Sequence, residues 1–473
     1  MEVRSRRPAS RLRTALLVGA AFLGGAAALP AGAVLGQHFG LRLGIPTAFA
    51  EDDSRADTYR LLTLFGDVFE RVRAEYVDPV GDKDLMENAI NGMLTGLDPH
   101  SSYMNAKSFR DMQVQTKGEF GGLGIEVTQD NGFIKVISPI DDTPAARAGI
   151  KSGDIITALD GKTVLGISLS DAVDKMRGAP NSRLVLTIKR EGVDKPLEVP
   201  ILREIIHIQV VKSRMEPDNI GYVRLTHFTE QADAGVKAAV KALRQQAGGK
   251  LTALVLDLRN NPGGLLDQAV SVSSDFADQG EIVSTRARHS EDSQRWDAKG
   301  GDIIPGTPLV VLINGGSASS SEIVSGALQD HHRAVLLGTR SFGKGSVQTV
   351  IPLPGNGAMR LTTARYYTPS GRSIQGLGIT PDVAVAESRD EQPHFGPERE
   401  ADLNRVLKNR GGTGEVALPP RNDLPPIAKE LPAKPPEGFP KFDPAKPDQT
   451  DFQLQQALVL AKAMAAQKTV GSN

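Results

Sequence analysis

The chain has 473 residues, and its 55 Lys and Arg residues nearly cancel its 56 Asp and Glu residues. The formal net charge of -1 leaves no overall basic field that would attract nucleic acid. The absence of Cys excludes a disulfide framework, a thiolate zinc site and a cysteine nucleophile, and 40% hydrophobic residues are typical of a globular protein.

The first 50 residues predict export. Several arginines precede an uncharged run over residues 15–36, and Ala48-Phe49-Ala50 follows just before three acidic residues. This order is typical of a signal peptide over residues 1–50, with cleavage after Ala50. Because the uncharged run is also about long enough to span a bilayer, an uncleaved anchor in the inner membrane is the alternative. In both cases the folded part is expected in the periplasm or cell envelope.

Residues 57–110 are predicted to be an N-terminal helical region. Leu61, Phe65 and Val72 fall at helical spacing, and a second amphipathic segment follows the turn at Asp78-Pro79. Two such helices cannot bury a core of their own. We therefore expect them to pack on another domain or on a second subunit, which makes a homo-oligomer one expected assembly.

Residues 111–203 change to short β-rich pieces. A Gly-Leu-Gly-Ile loop at 122–125 leads into a strand, and further strands are predicted at 133–137, 155–159 and 184–189. A helix over 168–176 places four apolar residues on one face: Leu169, Ala172, Val173 and Met176. By itself the pattern fits any small β-rich domain whose glycines form turns.

This order of strands and helices around the glycine loop resembles a PDZ domain. The resemblance implies that backbone N–H groups at Leu123, Gly124 and Ile125 bind the terminal carboxylate of a peptide. The peptide would add as a strand beside the apolar helix, in contact with Leu169, Val173 and Met176.

Residues 204–387 form the largest predicted unit. Apolar strands at 220–225, 253–258, 309–313 and 334–337 alternate with helices near 229–246 and 319–328, which predicts an α/β layer, and 347–353 with 359–367 predict a hairpin. The Pro-rich residues 388–450 are predicted to be a stiff, exposed linker. A final amphipathic helix over 451–468 is expected to dock onto the body.

Two stretches place small residues after predicted strands of this unit. Asp257 to Gly264 ends in two glycines whose uncovered N–H groups suit a developing oxyanion, although a tight turn would have the same sequence. Asn314 to Glu322 contains serines at a helix N-terminus. Such serines are usually N-caps, but a hydroxyl there also lies beside free N–H groups and the positive end of the helix dipole.

A third stretch, from Gly338 to Gln348, nearly matches a nucleotide-binding P-loop. Gly345 stands where the magnesium-binding Ser or Thr is required, and a strand rather than a helix follows. The P-loop hypothesis is therefore rejected. What remains is Lys344 among glycines, for which a solvated surface charge is the default interpretation.

The three stretches, in this order behind a PDZ-like domain, resemble the carboxyl-terminal (tail-specific) processing protease family. The resemblance implies a Ser–Lys dyad with Ser319 as nucleophile, Lys344 as general base and Gln348 as the residue that orients the amine. It also implies oxyanion-hole donors at the N–H groups of Gly264 and Ser320. The family's usual run is Ser-Ala-Ser-Ala-Ser-Glu, so Ser320 replaces an alanine.

The resemblance covers residues 57–385 and implies a mixed α+β fold. A protease core of α/β layers would contain an inserted small β-rich PDZ domain, with helices at both chain ends. A lysine is a base only when neutral, and burial against Phe342 would lower its pKa from the ordinary ~10.4. The mechanism needs no metal and no other cofactor. Arg177, after the groove helix, is the candidate for transmitting peptide binding to the core.

The predicted function is an exported serine endopeptidase that cleaves proteins near their C-termini. Its expected partners are protein or peptide substrates with apolar C-termini and an adaptor protein, and no nucleic acid. A triad of Ser319 with His331 or His332 is the competing mechanism. A non-catalytic PDZ scaffold or chaperone of the envelope and an exported hydrolase of small esters are the competing functions.

Overall fold

The computed structural model describes residues 48–140, 142–389, 399–409, 421–440 and 447–470. Most of the predicted leader, residues 1–47, lies outside the described residues. Within the described ranges no helix has the length and apolar character needed to cross a membrane.

Of the described residues, 48–85 form one compact unit. Its main element is α1 (Ala48–Glu75), and α2 (Asp82–Thr95) begins at its end. In the last turn of α1, Arg73 pairs with Glu70 at 2.6 Å and with Asp82 at 3.4 Å. The helix also exposes several large apolar side chains, namely Tyr59, Leu61, Leu62, Leu64, Phe65 and Val68.

The second unit, from Met86 onwards, begins with the rest of α2, β1 (Ser102–Met104) and α3 (Ala106–Lys117). The Asn105 side chain caps α3 by accepting the Ser108 N–H at 2.9 Å, and Gly118 ends the helix in the left-handed conformation. The predicted domain boundary at residue 111 therefore falls inside a helix. α3 precedes the PDZ-like sheet, and it also packs against the hairpin of residues 346–367 in the α/β core.

The PDZ-like region is a sheet with two short helices. Its elements are β2 (Glu119–Gly122), β3 (Ile125–Asp130), β4 (Phe133–Pro139), α4 (Pro144–Arg147), β5 (Ile155–Leu159), β6 (Lys162–Thr163), α5 (Leu169–Met176), β7 (Arg183–Lys189), β8 (Leu197–Leu202) and β9 (Glu204–His207). The sheet order is β3-β4-β5-β7-β8, so β3 is an edge strand. β2 pairs antiparallel with β9, and the entering and leaving segments thus form a two-stranded neck.

The α/β core is built on a six-stranded sheet with the order β10-β11-β12-β15-β16-β19. All neighbours in it are parallel except β10 and β11. These strands and the helices between them are β10 (Val211–Glu216), β11 (Ile220–Leu225), α6 (Ala232–Gln246), β12 (Ala253–Asp257), α7 (Leu266–Ser274), β15 (Leu309–Ile313), α8 (Ser320–Asp330), β16 (Val335–Gly338) and β19 (Val383–Ala384). A second sheet contains β1 with β13 (Glu281–Ala287), β14 (Arg295–Asp297), β17 (Ser346–Leu353) and β18 (Gly357–Tyr367).

Both faces of the six-stranded sheet are buried, which explains the unbroken apolar runs of its central strands. Leu254, Leu256 and Val311 pack with the helices α6, α7 and α8 on one face. Val255 and Val310 point to the other face and pack against the C-terminal helix α10 (Phe452–Val470).

The predicted exposed linker is wrong for residues 421–440. Leu424, Ile427, Ala428, Leu431 and Phe439 pack on the same face of the sheet as α10, because these apolar side chains are interspersed among the prolines. Residues 399–409, which also belong to the predicted linker, include the fully buried Glu400. The remaining parts of the predicted linker, at 390–398, 410–420 and 441–446, lie outside the described residues. The short helix α9 (Pro447–Thr450) leads into α10.

A buried ion network joins α10 to the end of β12. Arg259 Nη2 lies 2.6 Å from carboxylate oxygens of both Asp257 and Asp451, and Tyr222 donates its hydroxyl to Asp257 at 2.7 Å. Burial alone would raise the pKa of Asp257, but the charges and hydrogen bonds of Arg259, with Arg224 and Tyr222, lower it to about 2. The C-terminal helix is therefore tied to the loop that follows β12.

We predict that Asp451→Ala lowers the free energy of unfolding by about 3 kcal/mol, since it removes charged hydrogen bonds to Arg259 and the side-chain cap on the Leu454 N–H. Urea unfolding measures this change. The matched control is Lys462→Ala, which breaks an exposed ion pair with Asp218 and should cost less than about 1 kcal/mol. Equal effects of the two substitutions would contradict a stabilising role for the buried network.

Candidate active site

Three neighbouring parallel strands, β12, β15 and β16, end at the same edge of the sheet. The loops that follow them contain the three stretches singled out in the sequence. The Ala318 N–H donates to Asn261 O at 3.0 Å, and the Phe342 N–H donates to Ser317 O at 3.0 Å. The topology therefore brings together stretches that are distant from one another in the chain, at the edge where open α/β sheets bind their ligands.

Ser319 lies at the N-terminal end of α8 with an unusual backbone. Its φ of 53° and ψ of -110° lie in a region that non-glycine residues seldom occupy, and Glu322 returns to it in a capping box by accepting its backbone N–H at 2.8 Å. The side chain is largely buried, and its hydroxyl lies beside the positive end of the helix dipole.

The Glu322 carboxylate connects the Ser319 segment to the Lys344 segment. Its Oε2 accepts the N–H of Ser319 at 2.8 Å and that of Lys344 at 2.9 Å. Its Oε1 accepts the Gly343 N–H at 2.7 Å and the Ser341 hydroxyl at 2.5 Å. Complete burial raises the pKa of Glu322 to about 7, although these four donors oppose the shift.

The Gly263-Gly264 turn lies directly against Ser319 and Ser320. A Cβ added to Gly263 would lie 2.9 Å from both Ser319 Cβ and Ser320 N, and one added to Gly264 would lie 2.3 Å from Phe228 O. The described residues contain no hydrogen-bond acceptor for the N–H of Gly264 or of Ser320. The two N–H groups that the sequence predicts as oxyanion donors thus belong to segments in contact with each other, and neither is bound by a protein acceptor among the described residues.

The Ser320 hydroxyl, which replaces the family's alanine, has a structural role. It is buried and donates to Gly264 O at 3.0 Å, with Leu265 O at 3.3 Å as a second neighbour. The extra hydroxyl therefore ties the helix N-terminus to the glycine turn, while the Ser320 N–H stays free.

Lys344 is partly buried, and its environment favours the neutral amine. Burial lowers its pKa below the ordinary 10.5, and the positive charge of Arg360 acts in the same direction. The carboxylates of Glu400, Glu322 and Asp98 attract the ammonium form and oppose this decrease. The default interpretation of Lys344 as a solvated surface charge is therefore wrong.

Gln348 lies on β17, close to Lys344 in the chain. Its amide donates to Ser346 Oγ at 2.9 Å and more weakly to Thr362 Oγ1 at 3.4 Å. Thr362 in turn donates to Asp98 at 3.1 Å. Among the described residues, no hydrogen bond joins Gln348 to the Lys344 amine that the sequence predicts it to orient.

The histidines of the competing triad lie far from Ser319. His331 and His332 follow the C-terminal end of α8, and the 11 residues of this helix between Ser319 and His331 separate the two by about 18 Å. His331 Nε2 contacts Glu281 O at 2.6 Å instead. The structure therefore gives neither histidine a position from which it could accept a proton from Ser319.

The predicted peptide groove lies between the edge strand β3 and α5. Leu123 is buried, Gly124 has a left-handed φ of 78°, and Leu169 and Val173 on α5 are partly exposed, whereas Met176 is buried in the PDZ core. Ile125 begins β3. β3 pairs only with β4 among the described strands, so its other edge has N–H and C=O groups that an added strand of the predicted kind could pair with.

Arg177 connects the groove helix to α3. Its Nη1 lies 3.2 Å from Asp111 Oδ1, and its guanidinium lies over the Phe120 ring at 5.1 Å. A second ion pair between the two helices joins Lys107 to Asp174 at 2.9 Å. α3 also contacts β18 of the core hairpin, so Arg177 is placed on a continuous path between the groove and the core.

Sequence reasoning missed the role of Glu322 and the whole of a second cluster around Lys344. The Ser-x-x-Glu spacing at 319–322 is the local signal of a residue that returns to a helix N-terminus, and it could have identified Glu322. Asp98, His100 and Glu400 gave no local signal, because they meet only in the folded chain. No cluster of metal-ligating side chains was found within the described ranges.

Comparisons with known proteins agree with this architecture. A model of peptidase family S41 matches residues 219–385, a PDZ-domain model matches residues 121–201, and a model of the activating protease CtpB N-terminal domain matches residues 46–108. The S41 and PDZ matches confirm the predicted mixed α+β fold with an inserted PDZ domain.

Three relatives illustrate the similarity. A carboxy-terminal-processing protease of Bartonella bacilliformis is 56% identical over 384 residues, which cover 78% of this chain and 87% of that protein. A probable CtpA-like serine protease of Staphylococcus aureus is 35% identical over 332 residues, which cover 68% of this chain and 64% of that protein. Among solved structures, the photosystem II D1 C-terminal processing protease is 31% identical, with 68% of this chain and 92% of that chain covered and a TM-score of 0.40.

We predict that Glu322→Gln lowers kcat for peptide cleavage by about 100-fold, because an amide nitrogen would face backbone N–H donors and displace the Ser319 and Lys344 segments. Steady-state kinetics with a peptide substrate measures the change. Glu230→Gln, at an exposed turn of the same domain, is the matched control and should cleave at the wild-type rate. A Glu322→Gln protein that folds normally and keeps full kcat would show that this carboxylate does not organise the site.

Proposed function

We infer the function from one premise: this chain belongs to the carboxy-terminal-processing proteases of peptidase family S41 and carries their PDZ domain. We propose that it is an exported endopeptidase that cleaves proteins near their C-termini with a Ser319–Lys344 dyad. The family predicted from the sequence is confirmed, and with it a serine peptidase. One observation supports the dyad most strongly: a single oxygen of Glu322 accepts the N–H groups of both Ser319 and Lys344.

The proposed reaction begins with neutral Lys344, whose burial lowers the pKa of its amine. The amine takes the proton from Ser319 Oγ as the oxygen attacks the scissile carbonyl carbon. The oxyanion then accepts hydrogen bonds from the N–H groups of Gly264 and Ser320, which no protein acceptor occupies in the described chain. The ammonium of Lys344 gives its proton to the leaving amine as the peptide bond breaks.

Hydrolysis of the acyl-enzyme repeats this chemistry with water. Neutral Lys344 takes a proton from the attacking water, the same two N–H groups stabilise the second oxyanion, and the proton returns to Ser319 Oγ as the new carboxylate leaves. In this account Gln348 orients the amine, for which its side chain has to turn away from Ser346. The strained backbone of Ser319 is consistent with a position kept for chemistry rather than for stability.

The PDZ domain is proposed to capture the substrate's C-terminus. The open edge of β3 supports binding of an extended peptide, and the N–H groups of Leu123, Gly124 and Ile125 are the proposed carboxylate donors. A captured tail raises the local concentration of the substrate at Ser319. Arg177, through Asp111 and α3, is the proposed route by which tail binding reaches the core.

Export is proposed from residues 1–50, which carry the pattern of a signal peptide or anchor. The mature protein would then act in the periplasm or cell envelope, with an adaptor protein or a second copy as further partners. Sequencing the N-terminus of protein isolated from the envelope distinguishes the two forms: Glu51 as first residue supports cleavage, and an intact leader supports the anchor.

We predict that Ser319→Ala and Lys344→Ala each reduce cleavage of a peptide with an apolar C-terminus by at least about 1,000-fold, because the members of a catalytic pair act as a unit. His332→Ala, at the far end of α8, is the control and should retain wild-type kcat. Full activity of Lys344→Ala would exclude the dyad. Absence of cleavage by the wild-type protein, with peptide binding intact, would favour a non-catalytic scaffold.

We predict that Ser319→Ala protein binds a peptide with a free apolar C-terminus at least about tenfold more tightly than the amidated peptide, because the charged carboxylate accepts the loop N–H groups. Fluorescence anisotropy measures both affinities. Val173→Asp in the groove should weaken binding of the free peptide, whereas Lys175→Ala on the exposed side of α5 should not. Equal affinity for the two peptides, or no effect of Val173→Asp, would argue against tail capture by this groove.

A further inference from the structure

Glu400 is a fully buried carboxylate that the proposed reaction does not use. It lies in a short 3-10 turn, Glu400–Asp402, within the region that the sequence predicted to be an exposed linker. His100 Nε2 lies 2.8 Å from Oε2 and 3.0 Å from Oε1, and Gln375 donates its amide to Oε1 at 2.8 Å. These two polar partners offset part of the cost of removing the carboxylate from water.

The contacts of Glu400 hold the Lys344 backbone from both sides. Before the lysine, the Glu400 N–H donates to Phe342 O at 3.2 Å. After it, the Gly345 N–H donates at 3.1 Å to the oxygen of Gln375, whose amide nitrogen is bound to Glu400. Gly345 itself packs so closely that an added Cβ would lie 2.3 Å from Gln375 N. Glu400 therefore fixes the segment 342–345 through one direct and one relayed hydrogen bond.

The charges around Lys344 come from four elements. Glu400 exerts the strongest attraction, Arg360 on β18 repels the ammonium, and Glu322 on α8 and Asp98 after α2 attract it. Burial raises the pKa of Asp98, but hydrogen bonds from Ser101, the His100 N–H and Thr362 outweigh it and keep the pKa below 3.8. His100 faces Glu400 directly, and Arg399, the neighbour of Glu400, donates to Ser341 O at 3.2 Å.

We propose that Glu400 is a positioning residue for the base: its hydrogen bonds hold the Lys344 segment, and its charge stabilises the ammonium that Lys344 becomes when it takes the proton from Ser319. Glu400 and Glu322 then have different tasks. Glu322 connects the base to the nucleophile, and Glu400 adjusts how strongly the base holds its proton. The inference rests on the proposed function, in which Lys344 is the base.

The test is the pH dependence of kcat/KM for peptide cleavage by the full-length protein. Activity rises with pH as Lys344 loses its proton, and a negative charge nearby raises the pH at which this happens. Glu400→Gln keeps the size and an acceptor for Gln375 but removes the charge. We expect its acid limb to move to lower pH by roughly one unit, with kcat on the plateau reduced several-fold because the weaker base is a poorer proton acceptor.

Two variants control for structure. Glu400→Asp restores the charge and should return the acid limb most of the way to its wild-type position. Asp402→Asn removes an exposed carboxylate from the same turn and should leave the profile unchanged. Thermal unfolding of each protein shows whether it is folded. If Glu400→Gln does not fold, His100→Gln is measured in its place. The new glutamine keeps a hydrogen-bond donor to Glu400, so the acid limb of the pH profile must not move to lower pH.

An acid limb that stays in place in folded Glu400→Gln overturns the inference, as does a shift to lower pH in His100→Gln. Loss of all activity at every pH in folded Glu400→Gln also overturns it, because that result assigns Glu400 to the reaction itself. The activity of Lys344→Ala shows whether only the role of Glu400 has failed or the proposed Ser319–Lys344 dyad as well. An inactive Lys344→Ala with an unmoved Glu400→Gln profile removes only the role of Glu400, whereas an active Lys344→Ala removes the dyad.

Discussion

The buried carboxylate of Glu322 is the group on which the geometry of the site depends. It belongs to the first turn of α8, where the helix dipole favours a negative charge, and it accepts hydrogen bonds from Ser319, Ser341, Gly343 and Lys344. Two of these donors are the backbone N–H groups of the proposed nucleophile and base. Because their loops follow different strands, one rigid acceptor between them fixes a distance that loop packing alone would leave loose.

The α/β sheet provides the frame in which this carboxylate can act. Three adjacent parallel strands end at one edge, so the glycine turn, the serine helix and the lysine loop converge there. On the opposite face, Arg259 binds Asp451 of the C-terminal segment and so holds the start of the loop that ends in Gly264. The segment that begins the C-terminal helix, far from the site in sequence, thus stabilises the loop that contains the proposed oxyanion donor Gly264.

The sequence predicted the parts of the fold whose pattern is local. The strands at 220–225 and 309–313 and the helix α5 occur where apolar runs or helical spacing indicated them, because both strands are buried on both faces and α5 on one. The linker prediction was wrong at 421–440 because proline content hid the apolar side chains that pack there. The sequence motifs predicted Ser319 as nucleophile and Lys344 as base. The pairing of His100 with Glu400, 300 residues away, exists only in the folded chain, so no local pattern could predict it.

The central claim is that Ser319 is a nucleophile activated by neutral Lys344. The most direct measurement is mass-spectrometric mapping of the adduct formed with a fluorophosphonate, with its rate of formation followed against pH. The account predicts a single adduct on Ser319, a rate that reaches its plateau at a pH below the ordinary lysine pKa of 10.5, and no adduct in Lys344→Ala. An adduct on a neighbouring serine, or an undiminished rate on Ser319 in Lys344→Ala, would contradict it.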